Sequence, residues 1–242
     1  MNKYTFGVHA VREAIISSLN INKIFVKKSF NSQIVKEIIG LARSKNIPVQ
    51  YVPEEKLNRI TNGNHQGIVA LNSPIEYSDI EQILLETIES GITPFIFILD
   101  GITDVRNFGA IARTCEAAGC QCILIPEVGA AGISPDAIKA SAGALNHIPV
   151  CRYKHIKDII SLLHQYGLIV VGASEKANSF IYDYNFKEPI AIILGGEGKG
   201  LSNVSIKNTD ILLKLPMFGK IASLNVSASA AIFAYEVVRQ RL

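Results

Sequence analysis

Three stretches of the sequence combine polar side chains with glycines where strands are expected to end. The first, LDGITDVRNFGAIAR, covers residues 99–113. We expect it to leave a buried strand and enter a helix over about 110–118, with Asn107 and Gly109 in the turn and Arg113 in the first helical turn. Open α/β sheets bind ligands at such loops. A capping loop with a solvent-facing arginine is the simpler alternative.

The second stretch, ILGGEGKGL, covers residues 193–201 and holds four glycines in six residues directly after an apolar run. Glycines let a backbone approach a ligand closely. The loop lacks both phosphate fingerprints. A P-loop needs glycine where Ile193 stands and Ser or Thr where Gly200 stands, and the dinucleotide fingerprint has another glycine spacing at the first strand–helix turn. Glu197 would repel phosphates, so a ligand without phosphates is favoured.

The third stretch, LKLPMFGKIASLNVS, covers residues 213–227. We expect Pro216 to end a strand and Gly219 to bend the following loop. Ser223 or Asn225 can then cap a final helix over about 225–239. Helix capping is a sufficient explanation for either residue taken alone.

The pattern of apolar segments predicts an α/β fold that positions these stretches. Five segments predict strands, at 95–99, 122–125, 168–171, 191–194 and 212–215, and the continuous apolar runs at 168–171 and 191–194 are typical of a parallel sheet covered on both faces. One helix is expected before the first strand, at about 78–88, and others between the strands, at about 135–142 and 159–166. The preceding part of the chain predicts a smaller α/β module, with helices at 8–18 and 32–45 and strands at 24–26, 48–52 and 67–71.

Charge divides the chain into the same two parts. Residues 1–72 hold ten Lys or Arg against four Asp or Glu, whereas residues 73–89 hold five acids and no base. A basic surface attracts phosphate backbones by releasing counterions, so the first module suggests nucleic acid as a partner. An ordinary solvated surface is the alternative.

Composition excludes several other classes of protein. Apolar residues make up 48% of the 242 residues and charged residues 19%, which argues against a disordered chain or a coiled coil. Apolar runs fall far short of the ~18 residues of a membrane span, and no secretory signal opens the sequence, so we expect a cytoplasmic protein without membrane contact. The four cysteines have no zinc-ligand or disulfide spacing, so we expect buried reduced thiols and no metal.

Taken together, the three stretches resemble the SpoU-type branch of the SPOUT RNA ribose 2′-O-methyltransferases. The resemblance rests on an Asn-x-Gly-Ala loop leading to Arg113, a glycine-rich loop with a glutamate, and a Pro-Met turn followed by Ser-Leu-Asn-Val-Ser. The segments FGVHAVREA and HQGIVA are similar to the two ends of that branch's ribosomal-protein-like RNA-binding domain. One departure is Val105, which stands where the family usually has proline.

This resemblance implies a domain organisation and a cofactor. It implies a small N-terminal α/β (ribosomal-protein L30e-like) RNA-binding domain at 1–74, an acidic connector at 75–92 and a trefoil-knotted methyltransferase domain at 93–242. It also implies a homodimer with active sites built between the chains. S-adenosylmethionine is expected in the knot, against the cofactor-binding residues Gly195, Gly196, Leu215, Met217 and Leu224.

The resemblance also implies a set of catalytic residues and a substrate. Arg113 is the expected key residue, and Asn107, Glu197, Ser223 and Asn225 are expected to position the ribose and Arg113. The additional N-terminal domain favours a guanosine of 23S ribosomal RNA as the substrate over transfer RNA. Two alternatives stay open, a non-catalytic RNA-binding protein and a nucleotide-dependent α/β enzyme.

Overall fold

The chain folds into two compact units, Met1–Glu76 and Tyr77–Leu242. The computed structural model describes residues 3–17, 20–28, 30, 32–45, 47–196 and 198–242. Of the residues with an expected function, only Glu197 lies outside the described part. Among the helices in that part, none has the length and apolarity needed to cross a bilayer.

The first unit is a four-stranded sheet with helices on both faces. Its elements are β1 Tyr4–Phe6, α1 Val8–Ile16, β2 Ile21–Lys27, α2 Gln33–Ser44, β3 Val49–Val52, α3 Glu54–Ile60 and β4 Ile68–Asn72. The strand order is β1-β4-β2-β3, with β2 and β3 parallel and the other pairs antiparallel. Successive side chains of β2 point to opposite faces of the sheet. Ile24 and Val26 pack with α1 and α2 on one face, and Phe25 packs with Leu57 of α3 on the other.

Two elements of the first unit were not predicted from the sequence. Strand β1 has only three residues, too few for an alternating pattern. Helix α3 buries a single side chain, Leu57, and so carries no apolar periodicity. Its start is instead marked by Pro53 and by the acidic residues Glu54 and Glu55 in the first turn, which favour a helix N-terminus.

The second unit is a seven-stranded sheet in which every pair of neighbouring strands is parallel. Its strands are β5 Phe95–Asp100, β6 Cys122–Pro126, β7 Val150–Tyr153, β8 Ile169–Ala173, β9 Ser179–Phe180, β10 Ile190–Gly195 and β11 Ile211–Lys214. Its helices are α4 Ile80–Glu89, α5 Val105–Ala117, α6 Pro135–Ala140, α7 Ile156–Gln165, α8 Asn203–Asn208 and α9 Val226–Arg241. The strand order is β7-β6-β5-β10-β8-β11-β9, so the predicted parallel α/β sheet is confirmed.

Helix α5 corrects the expectation for the first stretch. It begins at Val105 because the Asp104 carboxylate accepts hydrogen bonds from the backbone N–H groups of Arg106 (2.9 Å) and Asn107 (2.8 Å). Asn107 therefore lies in the first turn of the helix. Arg113 lies about one and two-thirds turns after Asn107, not in the first turn as expected. Gly109 lies inside the helix, where a Cβ atom would come within 2.5 Å of the Ala140 Cβ on α6.

The segment with the acidic charge run contains α4. Asp79 caps this helix by accepting hydrogen bonds from the backbone N–H groups of Glu81 and Gln82. Ile80 and Leu84 pack into the core of the second unit, while the acidic side chains stay exposed. The apolar face of α4 thus belongs to the second unit, and residues 75–92 include more than a linker.

The C-terminal Arg241 holds the segments that lead into β5 and β10. Its guanidinium donates hydrogen bonds to the backbone carbonyls of Thr93 (2.8 Å), Pro94 (3.2 Å), Phe186 (3.0 Å) and Glu188 (2.7 Å).

We expect Arg241→Ala to lower the free energy of unfolding by about 2 kcal/mol, because these bonds to a charged donor are lost together. Urea denaturation measures this loss, and a change below about 0.5 kcal/mol would mean that water replaces the guanidinium at little cost.

Candidate active site

A cavity of about 520 Å³ lies in the second unit, where β8, β10 and β11 end. Its walls come from the segments that follow these three strands and from the first two turns of α9. The described lining residues are Ala173, Ser174, Glu175, Lys176, Leu194, Gly195, Gly196, Gly198, Lys199, Gly200, Leu213, Lys214, Leu215, Met217, Ala222, Ser223, Leu224, Asn225, Val226, Ser229 and Phe233. The carboxyl ends of parallel strands are the usual ligand site of such sheets.

The glycine-rich loop folds back on itself and onto the end of β5. The Gly200 N–H donates to the Gly196 carbonyl (2.9 Å), and the Gly196 N–H donates to the Asp100 carbonyl (2.9 Å). A Cβ at Gly196 would meet the Gly101 carbonyl oxygen at 2.5 Å, and one at Gly195 would meet the Gly200 carbonyl carbon at 2.1 Å. Gly195 and Gly196 therefore let the loop pack against the protein's own backbone, and their close approach to a ligand stays a prediction.

Asp100 anchors the far end of this loop, although it was not predicted as a site residue. Its Oδ2 atom accepts hydrogen bonds from the Ser202 N–H (2.8 Å) and from the hydroxyl of the buried Ser205 (2.5 Å). Burial raises the pKa of Tyr153, and the charge of Asp100 adds to this effect. The neutral Tyr153 hydroxyl donates to the Leu99 carbonyl (3.1 Å). Asp100 thus fixes the loop from β5, the strand next to β10.

Two of the expected catalytic residues, Asn107 and Asn225, contact each other. The Asn225 Nδ2 group donates to Asn107 Oδ1 over 3.1 Å. The Asn225 Oδ1 atom accepts the Ser227 N–H (2.9 Å) and the Ser227 hydroxyl (2.6 Å), which caps α9 as expected. The amide of Asn225 therefore joins the start of α9 to the start of α5.

Arg113 lies apart from the cavity. It is exposed on α5, it does not line the cavity, and it makes no hydrogen bond or ion pair with any residue that the structure describes. It follows Asn107 by six residues, about one and two-thirds turns, so the two side chains leave the helix on different sides. A single chain therefore does not bring Arg113 together with the cavity residues.

The remaining expected site residues within the described part of the chain line the cavity. They are the five residues expected to bind a cofactor, Gly195, Gly196, Leu215, Met217 and Leu224, together with Ser223 and Asn225. Residues 173–176, which follow β8, also line the cavity, as do Ser229 and Phe233 on α9. None of them was predicted as a site residue. The end of β8 becomes part of the site because β8 is the sheet neighbour of β10, and strand order cannot be read from the apolar pattern.

The cysteines offer no alternative site. All four are free and buried, and burial raises the pKa of the Cys115 thiol well above its ordinary value. The pKa of Cys122 is raised by its hydrogen bond with Cys151 and by burial. Such thiols are unreactive at neutral pH. Within the described ranges, no group of three or more His, Cys, Asp or Glu side chains could hold a metal ion.

The sequence matches two protein families, one in each unit. Residues 94–235 match the SpoU rRNA Methylase family, and residues 4–78 match the family described as RNA 2′-O ribose methyltransferase substrate binding. Over 235 residues the chain is 36% identical to a protein of Staphylococcus haemolyticus named as a TrmH family tRNA/rRNA methyltransferase. That alignment covers 97% of this chain and 94% of the relative.

Solved structures share the fold. An AdoMet-bound rRNA methyltransferase from Sinorhizobium meliloti superposes with a TM-score of 0.61 at 22% identity, covering 99% of this chain and 88% of that one. A TrmH/SpoU tRNA modifying enzyme of A. aeolicus superposes with a TM-score of 0.56 at 24% identity. It covers 66% of this chain and 83% of that one.

Proposed function

The chain belongs to the SpoU rRNA methylase family, and we propose that it methylates a ribose 2′-hydroxyl of RNA. Its family confirms the prediction of an RNA methyltransferase that uses S-adenosylmethionine. The observation that carries this proposal is the cavity at the carboxyl ends of β8, β10 and β11. The second and third sequence stretches meet there, and all five residues expected to bind the cofactor line it.

The chemistry of the cavity fits S-adenosylmethionine. Its volume lies within the ~300–1000 Å³ of small-molecule sites, and its lining mixes backbone groups of the glycine loop with apolar side chains such as Leu215, Met217 and Phe233. Lys199 and Lys214 offer ammonium groups for a carboxylate, and Glu175 offers a carboxylate for an amine. When bound, S-adenosylmethionine supplies a methyl group on a positively charged sulfur.

Arg113 would act on the ribose hydroxyl or on the adjacent RNA phosphate. A hydroxyl is a weak nucleophile at pH 7, so its proton must leave or its developing charge must be stabilised. An arginine is poorly suited to be a general base, since a guanidinium group keeps its proton in proteins. We therefore assign Arg113 the role of orienting the phosphate or stabilising the developing alkoxide. Asn107, Ser223, Asn225 and Glu197 would position the ribose and Arg113.

A second copy of the chain would complete this site. Arg113 lies away from the cavity of its own chain, while the loop beside the cavity exposes Phe218 (97%) and Ile221 (74%). Large exposed apolar side chains clustered in one loop are typical of an interface. We propose a homodimer in which these loops pack together and Arg113 serves the partner's cavity. In the sheet, β8 lies between β10 and β11, so the order of these strands differs from their order along the chain. This crossing and the family match support a trefoil knot at this end of the chain.

The first unit would select the RNA, and ribosomal RNA is the favoured substrate. Its match to a substrate-binding family over residues 4–78 supports an RNA-binding role with an L30e-like fold. The rRNA methyltransferase of S. meliloti aligns with 99% of this chain, whereas the tRNA modifying enzyme aligns with 66%. This difference favours ribosomal RNA. The choice of 23S ribosomal RNA and of a guanosine rests on the resemblance of the N-terminal segments FGVHAVREA and HQGIVA. Transfer RNA is the second candidate, because the relative's name includes both RNAs.

Methyl transfer to purified RNAs tests this function. The full chain is incubated with labelled S-adenosylmethionine and either unmodified 23S ribosomal RNA or unmodified transfer RNA, and the products are digested to nucleosides. We expect 2′-O-methylguanosine from ribosomal RNA only. Label from transfer RNA alone would keep the reaction and change the substrate. No transfer to either RNA, combined with no cofactor binding by calorimetry, would reject the methyltransferase function.

A further inference from the structure

A polar pocket of about 600 Å³ in the first unit has no role in the reaction described above. It lies between the end of β2, the middle of α3 and the loop at residues 62–67. Four of its ten described lining residues carry a side-chain amide. An amide can both donate and accept hydrogen bonds, so what this pocket recognises depends on which of its amide atoms are already used.

The buried His65 uses the oxygen of Asn58. The His65 Nδ1 atom accepts the Gly67 N–H over 3.0 Å, so the proton of the neutral ring is on Nε2. The Nε2 group lies 2.7 Å from Asn58 Oδ1 and therefore donates to it. The Asn58 oxygen is thus occupied, and its NH₂ group is what Asn58 offers to the pocket.

The oxygen of Gln66 is used in the same way. Gln66 has a positive φ of 48°, and its Oε1 atom accepts the Val8 N–H over 3.0 Å. This bond joins the two sequence segments, FGVHAVREA and HQGIVA, that lie at opposite ends of the first unit's sequence. Gln66 therefore also offers its NH₂ group, so two fixed amides present donors to one pocket.

The other walls favour a base over a phosphate. Lys27 forms an ion pair with Glu54 (2.5 Å), which lowers the pKa of Glu54 and neutralises the charge of the lysine. The half-buried ring of Phe30 packs on Gly67, where a Cβ atom would meet it at 3.2 Å. Single-stranded RNA is recognised by hydrogen bonds to splayed-out bases beside aromatic side chains.

We propose that this pocket binds an unpaired RNA base whose edge carries a carbonyl oxygen, that is uracil, guanine or cytosine and not adenine. The two amide NH₂ groups of Asn58 and Gln66 donate to the two lone pairs of the carbonyl oxygen. Adenine has no carbonyl and presents an amino group in its place. This inference rests on the proposed function only in taking RNA as the substrate, and it adds a sequence preference at one nucleotide.

Binding of short RNAs to the full chain tests the proposal. The probes are fluorescein-labelled heptamers of uridine, of adenosine and of abasic ribose phosphate, followed by fluorescence anisotropy. We expect uridine to bind at least about 10-fold more tightly than the other two, which corresponds to about 1.4 kcal/mol, the lower range for a good base contact. Asn58→Asp and Gln66→Glu keep the oxygens that serve His65 and Val8 but remove the donors, and each should lower uridine affinity about 10-fold.

Gln33→Glu is the matched control, because it adds the same charge at an exposed position outside the pocket. It should change affinity by less than about twofold, and unfolding midpoints check that each variant folds. Equal binding of the uridine and abasic heptamers, or equal losses in all three variants, would overturn the proposal.

Calorimetry with S-adenosylmethionine separates the base-pocket proposal from the proposed methyltransferase function. A chain that discriminates bases without binding cofactor refutes the methyltransferase function alone, and one that binds cofactor without discrimination refutes the base pocket alone.

Discussion

Arg113→Ala is expected to lower kcat for methyl transfer about 100- to 1000-fold while S-adenosylmethionine affinity stays within about twofold. The side chain is exposed, has no partner in the described residues and does not line the cavity, so its removal disturbs neither the fold nor the cofactor site. Initial rates with saturating ribosomal RNA measure the first quantity, and calorimetry measures the second.

Two further variants define what Arg113 does. Arg113→Lys keeps the charge but not the planar fork, so we expect it to retain little of the rate. Near-full turnover by this variant would show that the reaction does not need the paired donors of a planar guanidinium group. Arg106→Ala removes another exposed arginine from the same helix, and we expect it to change kcat less than about fivefold. An equal loss in the Arg106 and Arg113 variants would indicate general RNA attraction and not a catalytic contact.

Gly196→Ala is expected to weaken S-adenosylmethionine binding more than about 100-fold. The added Cβ would lie 2.5 Å from the Gly101 carbonyl oxygen, which is backbone and cannot rotate away. The loop must move, and with it the hydrogen bond from the Gly196 N–H to the Asp100 carbonyl. Calorimetric titration with the cofactor measures the loss.

Gly219→Ala provides the control for this substitution. Gly219 lies in the third stretch, has no atom within 4 Å of its Cβ position and does not line the cavity. We expect its cofactor affinity to stay within about threefold. Urea denaturation of both variants distinguishes local displacement of the loop from global unfolding. Unchanged binding by Gly196→Ala would contradict the assignment of this cavity to the cofactor.

The sequence predicted the strands of the second unit because a parallel sheet buried on both faces produces continuous apolar runs, as in Phe95–Asp100 and Ile190–Gly195. It did not predict β7, β9 or α8. Strand β7, VCRY, contains a charged arginine, β9 has only two residues, and α8, NVSIKN, is only six residues long. Helix α5 starts earlier than predicted because Asp104 caps it within TDVRN, a polar run that is typical of a loop.

The three stretches were predicted as parts of one site because of their order along the chain, but their geometry could not be. The Asn225–Asn107 bond joins residues 118 positions apart, and the Asp100–Ser205 bond joins residues 105 positions apart. Neither follows from local pattern, since each depends on which strands are neighbours. The pocket beside His65 was missed for a related reason. The segment HQGIVA was noted as a resemblance, but only the bond between Gln66 and Val8 shows which amide atoms remain available.

Helix α9 connects the two ends of the parallel strands. Its first turns line the cavity with Ser229 and Phe233. Its last turn, about 18 Å beyond Ser229, places Arg241 on the carbonyls that precede β5 and β10. A ligand that stabilises the first turn of α9 therefore also opposes the fraying of its last turn. Amide hydrogen exchange at the amino ends of these strands should slow when the cavity is filled, although no ligand atom reaches them.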